Sequence, residues 1–97
     1  MAIINMGLNN KELYDGCVIE EVAGRLNLTT SVDEAIEVVG RNAAKIVAGL
    51  EDRSEVTLTG PMAVWSYLIV FHAVVYAFAR VYYDDGRGNR VLLAAHG

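Results

Sequence analysis

A small α/β domain is predicted by three features of this 97-residue chain. An amphipathic stripe of helical period runs from Val32 to Leu50, short β-branched segments flank it, and two β-rich segments joined by a Gly-rich turn close the chain. At 54% hydrophobic residues the chain is too apolar for a disordered tail, and it is too short for two ordinary domains, so residues 1–97 form one domain. A domain of this size hides only about 60–65% of the surface that its unfolded chain exposes, so so apolar a composition predicts association with further copies of itself.

Ala2 to Met6 is a short apolar run closed by Gly7, and its brevity predicts a buried strand. Asn9 or Asn10 then caps a helix with Leu13, Cys17, Val18 and Val22 on one face. Gly16 weakens that helix, and the rival for the segment is a hairpin strand from Cys17 to Val22; the helix is the reading adopted for residues 11–26. From Val32 to Leu50, Val32, Ala35, Ile36, Val39, Ala43, Ile46, Val47 and Leu50 share one face, and Glu34, Glu37, Arg41 and Lys45 lie on or near the other. Ser31 and Glu34 make a capping box at its start, while Gly49 and the Glu51-Asp52-Arg53 turn mark its end.

Glu55 to Thr59 reads as a strand that runs into Gly60-Pro61 and a helix beginning near Met62, with Pro61 suited to its first turn. Met62 to Ala79 carries no formal charge at neutral pH, a length at the lower edge of a membrane span. Its periods argue otherwise. Trp65, Leu68, Ile69 and His72 recur at helical spacing, and from Val74 to Tyr83 the residues alternate as in a strand. The turn Asp84 to Asn89 leads to a last strand, Arg90 to Ala95. The expected order is βααβαββ, with an antiparallel hairpin at the end.

The net charge of −4 argues against double-stranded DNA, whose binding rests on basic surface. Ten of the twelve acids and five of the eight bases lie in residues 1–55, so an anionic ligand is better received by the second half. The single Cys17 excludes an internal disulfide and a cysteine-rich zinc site, and reads as filler in a reducing cytoplasm. Residues 1–6 show no secretory leader pattern.

Two places suit anion chemistry. At Thr59-Gly60-Pro61-Met62 a strand ends in glycine and opens a helix, which exposes backbone N–H groups to a phosphate; the same turn also serves simply to reverse the chain. In Asp84-Asp85-Gly86-Arg87, Asp85 can orient a water or ribose hydroxyl and Arg87 can pair with a phosphate, although Asp and Gly are equally what a hairpin turn requires. His72 and His96 are the side chains suited to proton transfer near neutrality, and each alone is as readily structural. Trp65, Tyr67, Tyr76, Tyr82 and Tyr83 offer stacking surfaces or core. No metal-ligand spacing is present, so the sequence itself requires no cofactor.

The pattern Val56-Thr57-Leu58-Thr59-Gly60-Pro61, Trp65, His72, Tyr83-Asp84-Asp85-Gly86-Arg87 and Ala94-Ala95-His96 resembles the small, Csx-type CRISPR-associated ring-nuclease families of type III systems over residues 55–97. The resemblance implies a Rossmann-like sheet, of the kind found in CRISPR-associated sensor domains. It also implies a cytoplasmic homodimer or homotetramer that binds cyclic tetra-adenylate and opens its ring, switching the antiviral response off. Asp85 and Arg87 match the family's Asp-x-Arg turn, His96 its terminal histidine, and His72 part of its histidine cluster. That cluster has a catalytic member nearer Tyr76, where this sequence carries none, so holding the ring without opening it stays open. The implied ligand-binding set is Asn5 and Met6 at the first strand end, Thr59, Gly60, Pro61 and Met62 at the junction, and Trp65. Manganese is the metal that the resemblance allows. A non-catalytic oligomerisation or partner-binding protein, including a messenger sponge, is the alternative.

Overall fold

The structure, a computed structural model, describes residues 2–95. Its first strand, β1 (Ala2–Asn5), lies parallel to β4 (Glu55–Thr59), which it reaches through α1 (Val32–Ala48). After α2 (Val64–Val74), β5 (Arg80–Asp84) lies parallel to β4 on its other side, and β6 (Arg90–Ala95) returns antiparallel to β5. The sheet order is therefore β1-β4-β5-β6. A separate antiparallel hairpin, β2 (Ile19–Val22) and β3 (Arg25–Leu28), stands between β1 and α1. This is a small α/β domain with a mixed four-stranded sheet and two helices.

The observed order is βββαβαββ, and the helix expected over residues 11–26 is replaced by a turn and the hairpin. Asn10 does cap as expected, since its Oδ1 accepts from Leu13 N at 3.2 Å, and Tyr14 N donates to Asn10 O. One turn is all that forms, because Gly16 adopts φ +97° and leaves the right-handed helical region. The chain then pairs with itself through a two-residue loop, Ala23 and Gly24, both at positive φ, which matches the twist of a tight hairpin. Thr30 Oγ1 accepts from Val18 N at 2.7 Å and Thr29 N donates to Val18 O at 2.9 Å, closing the hairpin's base.

α1 follows the sequence reading closely. Ser31 Oγ accepts from Glu34 N at 3.4 Å, and Gly49 caps the other end. Its buried stripe is Ala35, Val39, Asn42, Ala43 and Val47. α2 departs from it in two ways. Pro61 precedes the N-cap Ala63 and so lies outside the helix, and the helix runs to Val74, so that the strand expected from Val74 begins only at Arg80. Val74 and Phe78 are both buried, four residues apart, and Phe78 N donates to Val74 O. The apparent alternation at Val74, Tyr76 and Phe78 is thus a helical turn that continues past α2 before the chain straightens.

Ile4, Val56, Leu58 and Val81 of the sheet meet Val39, Ala43 and Val47 of α1 and Val70 and Val74 of α2 in one core. Alternation along the strands puts Ile3, Thr57 and Tyr82 on the opposite face, which carries no helix. There Arg90 lies over the Tyr82 ring at 3.5 Å from its centroid and pairs with Glu55 at 2.9 Å. Cys17 packs partly buried against the core, and burial raises its thiol pKa. No helix among the described residues is long and apolar enough to cross a membrane.

Candidate functional site

Register aligns three strand ends, Asn5 of β1, Thr59 of β4 and Asp84 of β5, at one rim of the sheet. Carboxyl ends of parallel strands are where open α/β sheets receive ligands. Thr59 ties the rim together, its Oγ1 donating to Asp84 O at 3.0 Å. Beyond it Gly60 adopts φ +116°, and a Cβ there would meet Asn5 Oδ1 at 2.7 Å and Gly7 N at 3.0 Å. Glycine is therefore required by the close approach of the β1 and β4 ends. The Tyr67 hydroxyl donates to Gly60 O, and burial, followed by the nearby Tyr83, pushes the Tyr67 pKa up to about 12.

A network of amides shapes the β1 side of this rim. Asn5 Oδ1 accepts from Gly7 N at 2.9 Å, Asn5 Nδ2 donates to Asn9 Oδ1 at 2.8 Å, and Asn10 Nδ2 donates to Asn5 O at 2.8 Å. Below them the loop is fastened to both helices. Asn42 of α1 donates to Leu13 O and Asp15 O at 2.9 and 2.8 Å. The Tyr14 hydroxyl donates to Met6 O, so Ser66 of α2 donates in turn to the Tyr14 oxygen at 3.0 Å. Burial raises the Tyr14 pKa and keeps that donor in place.

The result is an open cleft of ≈ 590 Å³ whose one wall is Asn5, Gly7, Leu8, Asn9 and Pro61 and whose other wall is Arg25, Leu26 and Asn27 of the hairpin. Its chemistry is mixed: amide groups suited to a base or ribose edge, one guanidinium suited to a phosphate, and apolar leucine and proline among them. Arg25 makes no ion pair with an acid among the described residues.

Of the residues singled out by sequence, Asn5 and Pro61 line this cleft, and Thr59 and Gly60 build the rim beside it. Met6 has no exposed surface and offers only its main chain. Met62 and Trp65 are half-buried against the core. The rim continues through Asp84 into the exposed turn of Asp85 and Arg87, so the start of the tryptophan-bearing segment and the arginine-bearing turn share one end of the sheet within a single chain. Asp85 is occupied by its own turn: its oxygens accept from Arg87 N at 2.8 Å and Asn89 Nδ2 at 3.1 Å, which hold its pKa below the usual carboxylate value. His72 is exposed in the last turn of α2, which runs back from the rim toward the start of β5, so the fold does not bring it to Asp85 and Arg87. His96 lies outside the described residues.

Arg25, Asn9 and Asn27 escaped the sequence reading. The signal that finds them is Ala23-Gly24 between two four-residue segments, a hairpin loop that pairing of Ile19 with Leu28 then turns into a wall. Among the described residues no three His, Cys, Asp or Glu side chains gather as metal ligands. Compared with protein-family models, curated proteins and solved structures, the chain shows no match.

Proposed function

We propose that the protein binds a cyclic oligoadenylate, cyclic tetra-adenylate first among them, at the carboxyl rim of a Rossmann-like sheet. The observation that carries this reading is the cleft in which Arg25, unpaired with any described acid, stands with Asn27 opposite Asn5 and Asn9. Adenine presents paired donor and acceptor edges that an asparagine amide matches, and a phosphate takes a guanidinium fork. A cleft of ≈ 590 Å³ suits a drug-sized ligand, so a four-nucleotide ring overhangs it and calls for a second protomer with the same groups. A homodimer or homotetramer answers that need. The messenger reading implies a cytoplasmic protein.

Ring opening is the second step of the proposal. Arg87 would hold a phosphate and Asp85 would orient the ribose 2′-hydroxyl that attacks it; the P–O5′ bond breaks to leave a 2′,3′-cyclic phosphate, and His96 would pass the proton to the departing 5′-oxygen. Asp85, kept ionised and held by its turn, suits orientation better than proton abstraction. That engagement, together with the remoteness of His72, favours a second reading in which the ring is held without being opened, as in a messenger sponge.

Titration calorimetry with cyclic tri-, tetra- and hexa-adenylate tests binding. Arg25→Ala is expected to weaken it by at least about tenfold, the loss of one charge-assisted contact. Absence of binding to all three rings overturns the ligand assignment. Chromatography of labelled cyclic tetra-adenylate separates the two readings, since linear products that vanish with Asp85→Ala or His96→Ala mark an enzyme and their absence marks a sponge.

A further inference from the structure

Apart from Ser66 and His72, α2 is apolar on every face, a property of helices that are covered on every side, yet its outer face is open. Val64, Leu68 and His72 recur at four-residue spacing and are all exposed, with Val64 73% and Leu68 62% exposed, and Tyr76 beyond them is exposed as well. Beside this ridge runs an apolar groove of ≈ 280 Å³ between α2 and β6, lined by Leu58, Tyr67, Leu68, Phe71 and Leu93. We infer that the outer face of α2 and this groove are covered by the same surface of a second copy of the chain, related by a two-fold axis.

Three observations select a second copy as the occupant. Ridge and groove lie side by side and share Leu68, so the surface is complementary to itself: under a two-fold rotation each ridge meets the partner's groove. The area is right for a dimer. Val64, Leu68, Tyr76 and Leu93 are 73%, 62%, 86% and 47% exposed, and with the half-buried Trp65 and Phe71 beside them they form an apolar patch of several hundred Å², of the order that one partner contributes to a stable interface of roughly 800 Å² per side. The whole chain exposes 6038 Å², against about 5,500 Å² for a monomer of its mass. Charge agrees: Met62 to Ala79 holds no Asp, Glu, Lys or Arg, so two acidic chains meet here without repulsion, and nothing marks the face for a charged peptide or nucleic acid.

This interface stands whether or not a cyclic oligonucleotide is the ligand. Analytical ultracentrifugation of the purified full chain tests it, with far-UV circular dichroism to show that each variant is folded. The wild type is expected to be a dimer at micromolar concentration. Leu68→Asp and Val64→Lys, both at exposed positions that a monomer tolerates, are expected to raise the dissociation constant at least about a hundredfold, whereas Glu37→Ala on the outer face of α1 leaves it unchanged. A wild type that stays monomeric, a dimer that survives both α2 substitutions, or equal loss with Glu37→Ala overturns the inference.

Discussion

The two helices lie side by side on one face of the sheet and face outward in opposite ways. α1 turns Glu34, Glu37, Arg41 and Lys45 to water and buries a stripe of small and branched residues. α2 buries Ser66, Val70 and Val74 and leaves Val64, Leu68 and His72 outside, with Tyr76 exposed just beyond its end. Their inner faces answer the same demand, to cover Ile4, Val56, Leu58 and Val81. Only the outer faces differ. A helix that must simply roof a sheet needs one apolar stripe, and apolar residues beyond that stripe record a second contact.

If the inner faces are equivalent, a charge on either should be equally ruinous. Val39→Asp in α1 and Val70→Asp in α2 each place a carboxylate where no surface is exposed, and both are expected to cost more than about 4 kcal/mol. Chemical denaturation would measure it, and a mild effect at either site would break the symmetry. The grip of each helix on residues 13–15 is less equal. Asn42→Ala strands the buried carbonyl of Leu13 and removes the donor to the part-buried carbonyl of Asp15, and should cost about 2 kcal/mol, while Tyr14→Phe removes one hydroxyl from between Met6 and Ser66 and should cost about 1 kcal/mol.

The helix starts sharpen the contrast further. α1 has a serine cap and two acids in its first turn, whereas α2 starts at Ala63 with no side-chain cap and no acid. Ser31→Ala should destabilise by about 1 kcal/mol and Ala63→Asp should stabilise by up to about 1 kcal/mol, a change of opposite sign that thermal unfolding would resolve. The smallest effect is expected from the tyrosine that α2 offers to Gly60. Tyr67 has a folded pKa near 12 against an ordinary 10.0, raised first by burial. Its neutral form is the one favoured by folding, so this contribution is complete below pH 10 and is lost as pH rises toward 12. Absorbance at the tyrosinate band should show late ionisation from the two tyrosines that burial holds neutral, Tyr14 and Tyr67, and Tyr67→Phe should remove one tyrosine's share of that late step.

Several elements were legible because their determinants are local. The strands Glu55–Thr59 and Arg90–Ala95 occur where alternation puts them, and α1 begins at the Ser31 cap. Residues 11–28 were misread for a local reason too: Leu13, Cys17, Val18 and Val22 satisfy helical spacing, and only the backbone at Gly16 and Ala23-Gly24 reveals the hairpin. The cleft suffered with them, since Arg25 and Asn27 become neighbours of Asn5 and Pro61 only when β3 stands opposite the β1 end.

Periodicity, caps and glycine punctuation act within a few residues along the chain, and they were enough to specify a small α/β domain, its long helix and its closing hairpin. Which residues meet across the rim depended on packing between segments far apart in sequence: Asn5 beside Gly60, Tyr14 beside Ser66, Asn42 beside Leu13. Those meetings follow from burying a shared core, and burial is a property of the assembled surfaces that no single stretch of sequence contains.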